Sequence, residues 1–204
     1  MRMSRKRFCF ILGRHSRPLA IFLCSLIFWL LPQFVSAQAN TTGGDTASQA
    51  FKAMIPVLRH PRCMNCHSRG DYPREGDDRH QHTMNVRRGP SGNGIAGVKC
   101  SSCHHEVNAP GVHAPPGAPG WHLPPSDNPL VWEGLSDREL CELFKDRSKN
   151  GERSLEQIVE HMRTPLVLWG WTPGEGRNPV PVAKNEFLAD AQRWAAEGGG
   201  CPLK

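Results

Sequence analysis

Two pentapeptides, Cys63-Met64-Asn65-Cys66-His67 and Cys100-Ser101-Ser102-Cys103-His104, constrain this chain more than anything else in it. Both read C-x-x-C-H, the spacing of covalent c-type haem attachment. Two cysteines so spaced can form thioethers to the vinyl groups of one haem, and the histidine that follows is held beneath the iron as its proximal ligand. Two such motifs imply two haem c groups, anchored by Cys63 and Cys66 and by Cys100 and Cys103, with His67 and His104 on the irons. Paired C-x-x-C is also the spacing of a zinc ribbon, and four cysteines could form a disulfide knot. The histidine after each pair favours haem, and so does the leader.

The first 39 residues have the three-part layout of a secretory signal: a basic start, an apolar run from Pro18 to Leu31, and small residues at Val35-Ser36-Ala37 and Ala37-Gln38-Ala39. The apolar run is short of the roughly 20 residues a membrane span needs, although an uncleaved N-terminal anchor is the alternative. Ser4-Arg5-Lys6-Arg7-Phe8 faintly resembles a twin-arginine signal. That route exports folded proteins, whereas cytochromes c of this type receive haem after crossing the membrane unfolded. The expected location is the periplasm, with no stable membrane span once the leader is removed.

The formal charge of +6 belongs to that leader. Arg2, Arg5, Lys6, Arg7, Arg14 and Arg17 lie in it with no acidic residue, and the remainder balances 19 basic against 19 acidic residues. The charge therefore makes no case for nucleic acid or for a general anionic partner. Cys9 and Cys24 leave with the leader. Cys141 and Cys201 are then left over in an oxidising compartment, where a disulfide is the default reading and two separate buried thiols the alternative. Closing a loop of about 60 residues would contribute about 4 kcal/mol.

With 20 Gly and 18 Pro, the chain exceeds the usual combined usage of about 12%. The expected fold is mainly α with extensive Pro/Gly-rich irregular structure, organised around the two haems. Residues 40–204 are expected to form a single domain, with 60–135 binding haem and 136–204 forming a helical tail. Phe51, Met54, Ile55 and Leu58 mark a short amphipathic helix within 46–60, kinked or ended by Pro56 and Pro61. Ser68 to Lys99 reads as loop, and no strand is expected. Ser136-Asp137-Arg138-Glu139 and Ser154-Leu155-Glu156-Gln157 are capping-box patterns that open two helices. A last helix runs from Lys184 toward Glu197, burying Phe187, Ala191 and Trp194, and Gly198 to Gly200 stop it. Trp121, Trp132, Trp169, Trp171 and Trp194 need packing partners, which the porphyrin faces could supply. The connection between the motifs is too short for two separate haem domains, so the haems are expected close together.

The distal ligands decide the chemistry: a second His lowers the potential, a Met raises it, and an open position invites small-molecule reactions. His82, in the glycine-rich connection, ranks first. His122, on a stiff proline-rich stretch, ranks second, and His60 third, better placed for the neighbouring haem than for its own. His80, His105, His113 and His161 are weaker candidates, and Met84 and Met162 are the sulfur options. Met162 lies on an apolar helical stripe and reads as core; His161 falls beside that stripe and reads as surface or rim.

The paired motifs with a His-bearing connection resemble small di-haem electron-transfer subunits such as that of periplasmic nitrate reductase. That resemblance covers about residues 60–105 and implies a distal role for His82. His60-Pro61-Arg62-Cys63, Met84-Asn85-Val86-Arg87-Arg88-Gly89-Pro90, Trp121-His122-Leu123 and Trp169-Gly170-Trp171 are similar to a family of short proteobacterial haem proteins, often labelled subunits of isoquinoline 1-oxidoreductase. The label implies a molybdenum hydroxylase as partner, but this chain has neither pterin-binding length nor an iron–sulfur cysteine set.

The expected function is a periplasmic electron carrier, or an electron-transfer subunit of an oxidoreductase, with no catalytic residues of its own. Its partner would be a redox protein, a molybdenum hydroxylase or a membrane dehydrogenase. The rival is a small haem enzyme, of peroxidase or nitrogen-oxide reductase type, with one open iron. A haem sensor would need an output domain.

Overall fold

Helix α1, Gly43–Leu58, carries an apolar stripe of Ala47, Ala50, Phe51, Met54, Val57 and Leu58, all buried. In the computed structural model, which describes residues 43–203, this stripe packs on a C-terminal helix far away in sequence. The leader, and with it the signal-peptide reading, lies outside the described residues. Pro56 stands inside α1 rather than ending it. Pro56 and Lys52 are both exposed, so the carbonyl that loses its partner to the proline faces water, and the helix continues for two more residues.

The short helix α2, Pro61–Met64, has proline at its first position, where the missing N–H is not needed. It carries the first cysteine of the first motif. Two hairpins follow where the sequence suggested only loop: β1, Arg74–Glu75, pairs with β2, His80–Gln81, and β3, Gly94–Ile95, pairs with β4, Val98–Lys99. Two-residue strands offer no alternation to read, which is why the pattern missed them. Near the second hairpin Gly92 has φ 75°, and a Cβ there would sit 1.8 Å from the Leu123 carbonyl oxygen. The close approach lets the Leu123 N–H donate to Gly92 O at 2.9 Å, fastening the proline-rich stretch to the connection.

Helix α3, Asp137–Lys145, and helix α4, Leu155–Met162, each begin with the complete capping box expected from Ser136/Glu139 and Ser154/Gln157. Helix α5, Pro165–Leu168, runs into a 3-10 turn at Trp169–Trp171, and α6, Lys184–Ala196, buries Phe187, Ala191 and Trp194 as expected. The described residues are thus mainly α-helical, with little strand. The core lies where α1, α3, α4 and α6 meet. Phe51 meets Phe144 at 5.8 Å and Trp194 at 5.5 Å between ring centroids. This cluster is protein against protein, so Trp194 finds its packing within the helices. Cys141 and Cys201 form a disulfide joining α3 to the segment after α6. Among the described residues, no helix is long and apolar enough to cross a membrane.

Candidate functional site

The two pentapeptides adopt the same local turn. The N–H groups of Cys66 and His67 both donate to Cys63 O at 3.2 Å, and those of Cys103 and His104 both donate to Cys100 O, at 3.2 and 2.9 Å. One such turn carries both cysteines and the histidine of each motif. All four motif cysteines are free thiols.

Each motif histidine is then oriented in the same way. His67 Nδ1 donates to Leu130 O at 2.9 Å, and His104 Nδ1 donates to Pro116 O at 2.7 Å. With the proton fixed on Nδ1, the Nε2 lone pair of each ring is left for another partner, the usual arrangement behind a metal-bound imidazole. Each ring is also stacked on a tryptophan: His67 on Trp132 at 3.7 Å and 4°, His104 on Trp121 at 4.6 Å and 5°.

The segment behind His67 is clamped from several sides. His67 O accepts from the Trp132 N–H at 3.0 Å, and Leu130 is held at φ 46°. Arg59 donates to Trp132 O, Leu135 O and Asp137. Glu133 accepts from the Arg69 N–H at 2.6 Å, from Arg74 Nε at 3.0 Å, and from Arg79. Burial opposes ionisation of Glu133, but these donors outweigh it and hold the carboxyl below its ordinary value of 4.5. Glu133→Gln should therefore lower stability at neutral pH by about 1 kcal/mol, the scale of charge-assisted bonds at a partly solvated site. A carboxylate with a depressed folded value stabilises fully above its unfolded value and loses that contribution as pH falls through the folded one. Urea melts of the two proteins should accordingly converge below about pH 4.

The first motif opens onto a cavity of about 1180 Å³, part of it open to solvent. Cys63, Cys66, His67, Leu130 and Trp132 form one part of its lining; Phe144, Ile158, His161, Met162 and Phe187 come from α3, α4 and α6, and Trp121, His122 and Trp169 close it. The cavity disfavours charge on its own donors. Burial pushes the Cys63 thiol up to about 12 and the Cys66 thiol up to about 11, and pushes His67 down to about 3. Such an environment suits neutral thioethers and a neutral imidazole better than the thiolates of a zinc ribbon. Among the described residues no three His, Cys, Asp or Glu side chains converge as a metal cluster.

The second motif lies nearer the surface, with Cys100 buried and Cys103 exposed. His82 approaches it from the connection, its ring centroid 6.1 Å from that of His104 and the ring planes at 69°. His82 Nδ1 donates to Thr83 O at 2.9 Å, and its Nε2 lies 3.8 Å from Glu75 Oε2, beyond hydrogen-bond length.

The other expected ligands stand elsewhere. His122 lines the first cavity, exposed, with Nδ1 donating to Gly120 O at 2.5 Å. His60 caps α2: its Nδ1 accepts the Arg62 N–H at 3.3 Å, which puts the proton on Nε2 and leaves no lone pair there for a metal. That capping role differs from the distal role expected of it. His80 pairs with Asp78 and Glu75 at the surface, and His105 and His113 are exposed. Met84 is 74% exposed, whereas Met162 is core as expected. His161, expected at the surface or rim, is half-buried and lines the cavity; burial, with Arg153 and His122 nearby, pushes it down to about 4.

Arg88 was legible only as one residue of a recurring segment. It is fully buried, and its guanidinium donates to Cys66 O, Ser68 O and Pro124 O. It thereby ties the first motif to the proline-rich stretch. No family model, curated protein or solved structure matches the chain.

Proposed function

We propose that this protein is a di-haem c-type cytochrome of the periplasm that carries electrons between redox partners. The observation that carries the reading is the second site. Two imidazoles that were to hold one iron between them would need their ring centres roughly 6 Å apart. His104 and His82 have that spacing, and each has its Nδ1 proton engaged by a backbone carbonyl. The donor set fits two haem c groups: Cys63 and Cys66 with His67 for one, Cys100 and Cys103 with His104 and His82 for the other. A haem so held supplies one-electron iron redox chemistry.

The protein's own residues do the rest. Leu130 O and Pro116 O fix the tautomer and the rotation of the two proximal rings. The apolar lining from Phe144, Ile158 and Phe187 makes the first site less polar, while the exposure around Cys103 opens the second to a partner. Trp121 lies against His104 and also lines the first cavity, so one aromatic ring separates the two sites. Haems held by Cys63, Cys66 and His67 and by Cys100, Cys103 and His104 would supply a one-electron path between the surface site and the buried one, with Trp121 between them. The partner is a redox protein: the sequence resemblance points to a molybdenum hydroxylase, and a membrane dehydrogenase is the alternative.

His82→Ala is the direct test. The purified variant should keep both haems, with one of them turned high-spin in the ferric spectrum and able to bind CO when reduced. Unchanged low-spin spectra would remove His82 from the iron. A wild-type protein that already binds CO at one haem would favour a haem enzyme instead.

A further inference from the structure

The first cavity holds a nitrogen donor that helical periodicity assigns to solvent. His161 stands in the last turn of α4, one turn after Ile158 and next to Met162, and all three side chains line the cavity that contains Cys63, Cys66 and His67. No hydrogen bond from its ring to the described residues gives it another task. The half-buried imidazole therefore has its nitrogens free for a group bound in that mostly apolar cavity. We propose that His161 is the sixth ligand of the iron held by His67; the proposal rests on reading the first motif as a haem site.

Two neighbours compete for the role. His122 reaches the same cavity from a loop, but it is exposed and its Nδ1 is already committed to Gly120 O. The Met162 thioether is 5% exposed and packed into the helix core with Val159 and Phe187, so turning it to an iron would open a hole there. Of the two histidines that line the cavity beside His67, only His161 has a helix beneath it, and helices hold ligand geometry better than loops. With His161 in place both irons carry two imidazoles, which lowers both potentials and leaves neither iron open to small molecules.

The test uses the full-length protein exported and matured in a host that attaches haem c. His161→Ala should retain two haems, with one becoming high-spin in the ferric state and binding CO when reduced, and added imidazole should restore the low-spin spectrum. His122→Ala should leave both haems low-spin. His161→Met should raise the potential of one haem only and give it a sulfur-to-iron charge-transfer band; this variant decides the question if the alanine protein does not accumulate. Two low-spin haems that refuse CO in His161→Ala, or an unaltered bis-imidazole spectrum in His161→Met, would overturn the assignment. A wild-type intact mass without two attached haems would instead overturn the parent reading.

Discussion

The Cys63→Ala/Cys66→Ala variant is expected to reach the periplasm with one haem where the wild-type protein carries two, and to be far less stable than the matching variant of the second motif. The first part follows from the thioether chemistry, and intact mass with a haem-stained gel reads it directly. The second part follows from where the two sites lie. The first cavity is walled by Phe144 of α3, Ile158 and Met162 of α4 and Phe187 of α6, all buried side chains of the helical core. An unfilled cavity of that kind costs the lining its contacts, and single large-to-small core changes already cost about 2–5 kcal/mol. The second site is bordered by turns: the 3-10 turn at Cys100–Ser102, the Pro116 carbonyl and the His82 loop. Cys100→Ala/Cys103→Ala should therefore lose the other haem and leave most of the melting transition intact. Equal destabilisation by the two variants would contradict this division, and two haems retained in either would sink the attachment scheme.

Local chemistry was legible in the sequence wherever it is written in neighbouring residues. Both capping boxes could be read because Ser136 with Glu139, and Ser154 with Gln157, complete their bonds within one turn. The buried face of α6 could be read because Phe187, Ala191 and Trp194 keep helical spacing. What failed was the inference from periodicity to environment. His161 lies beside an apolar stripe, and a stripe analysis can only call such a flank solvent; it has no means of seeing a cavity made with the first motif and the Trp121 segment. Pro56 was read as kinking or ending α1; whether a proline ends a helix depends on which way the orphaned carbonyl faces, and here the helix runs on to Leu58. The anchors of the proximal rings were beyond reach altogether. Leu130 O and Pro116 O are backbone acceptors, and any residue type would supply them. His82 stands between these cases: its place in the connection suggested a ligand, but only the fold brings it to 6.1 Å from His104.

Replacing both cysteines of the disulfide, Cys141→Ser/Cys201→Ser, should lower unfolding stability by about 4 kcal/mol in the chain-entropy account, since the cross-link closes a loop of about 60 residues. The bridge has a sequence separation of 60, so the closed loop contains α4, α5 and α6 entire. Those helices supply Ile158, His161, Met162 and Phe187 to the first cavity. Without the bridge α6 is still held by its packing on α1, and the Trp194 indole by its bond to Gly200 O at 3.2 Å. Packing contacts in the folded state do not shrink the unfolded ensemble, which is the effect the cross-link has. Denaturant melts of the holoprotein, with and without reductant, measure the difference, because the thioethers survive conditions that open a disulfide. Followed at the haem absorption, the reduced protein should disturb the first site, whose walls come from the freed loop, before the second. A midpoint unmoved by reductant would show that the cross-link contributes nothing measurable to stability and would overturn this prediction.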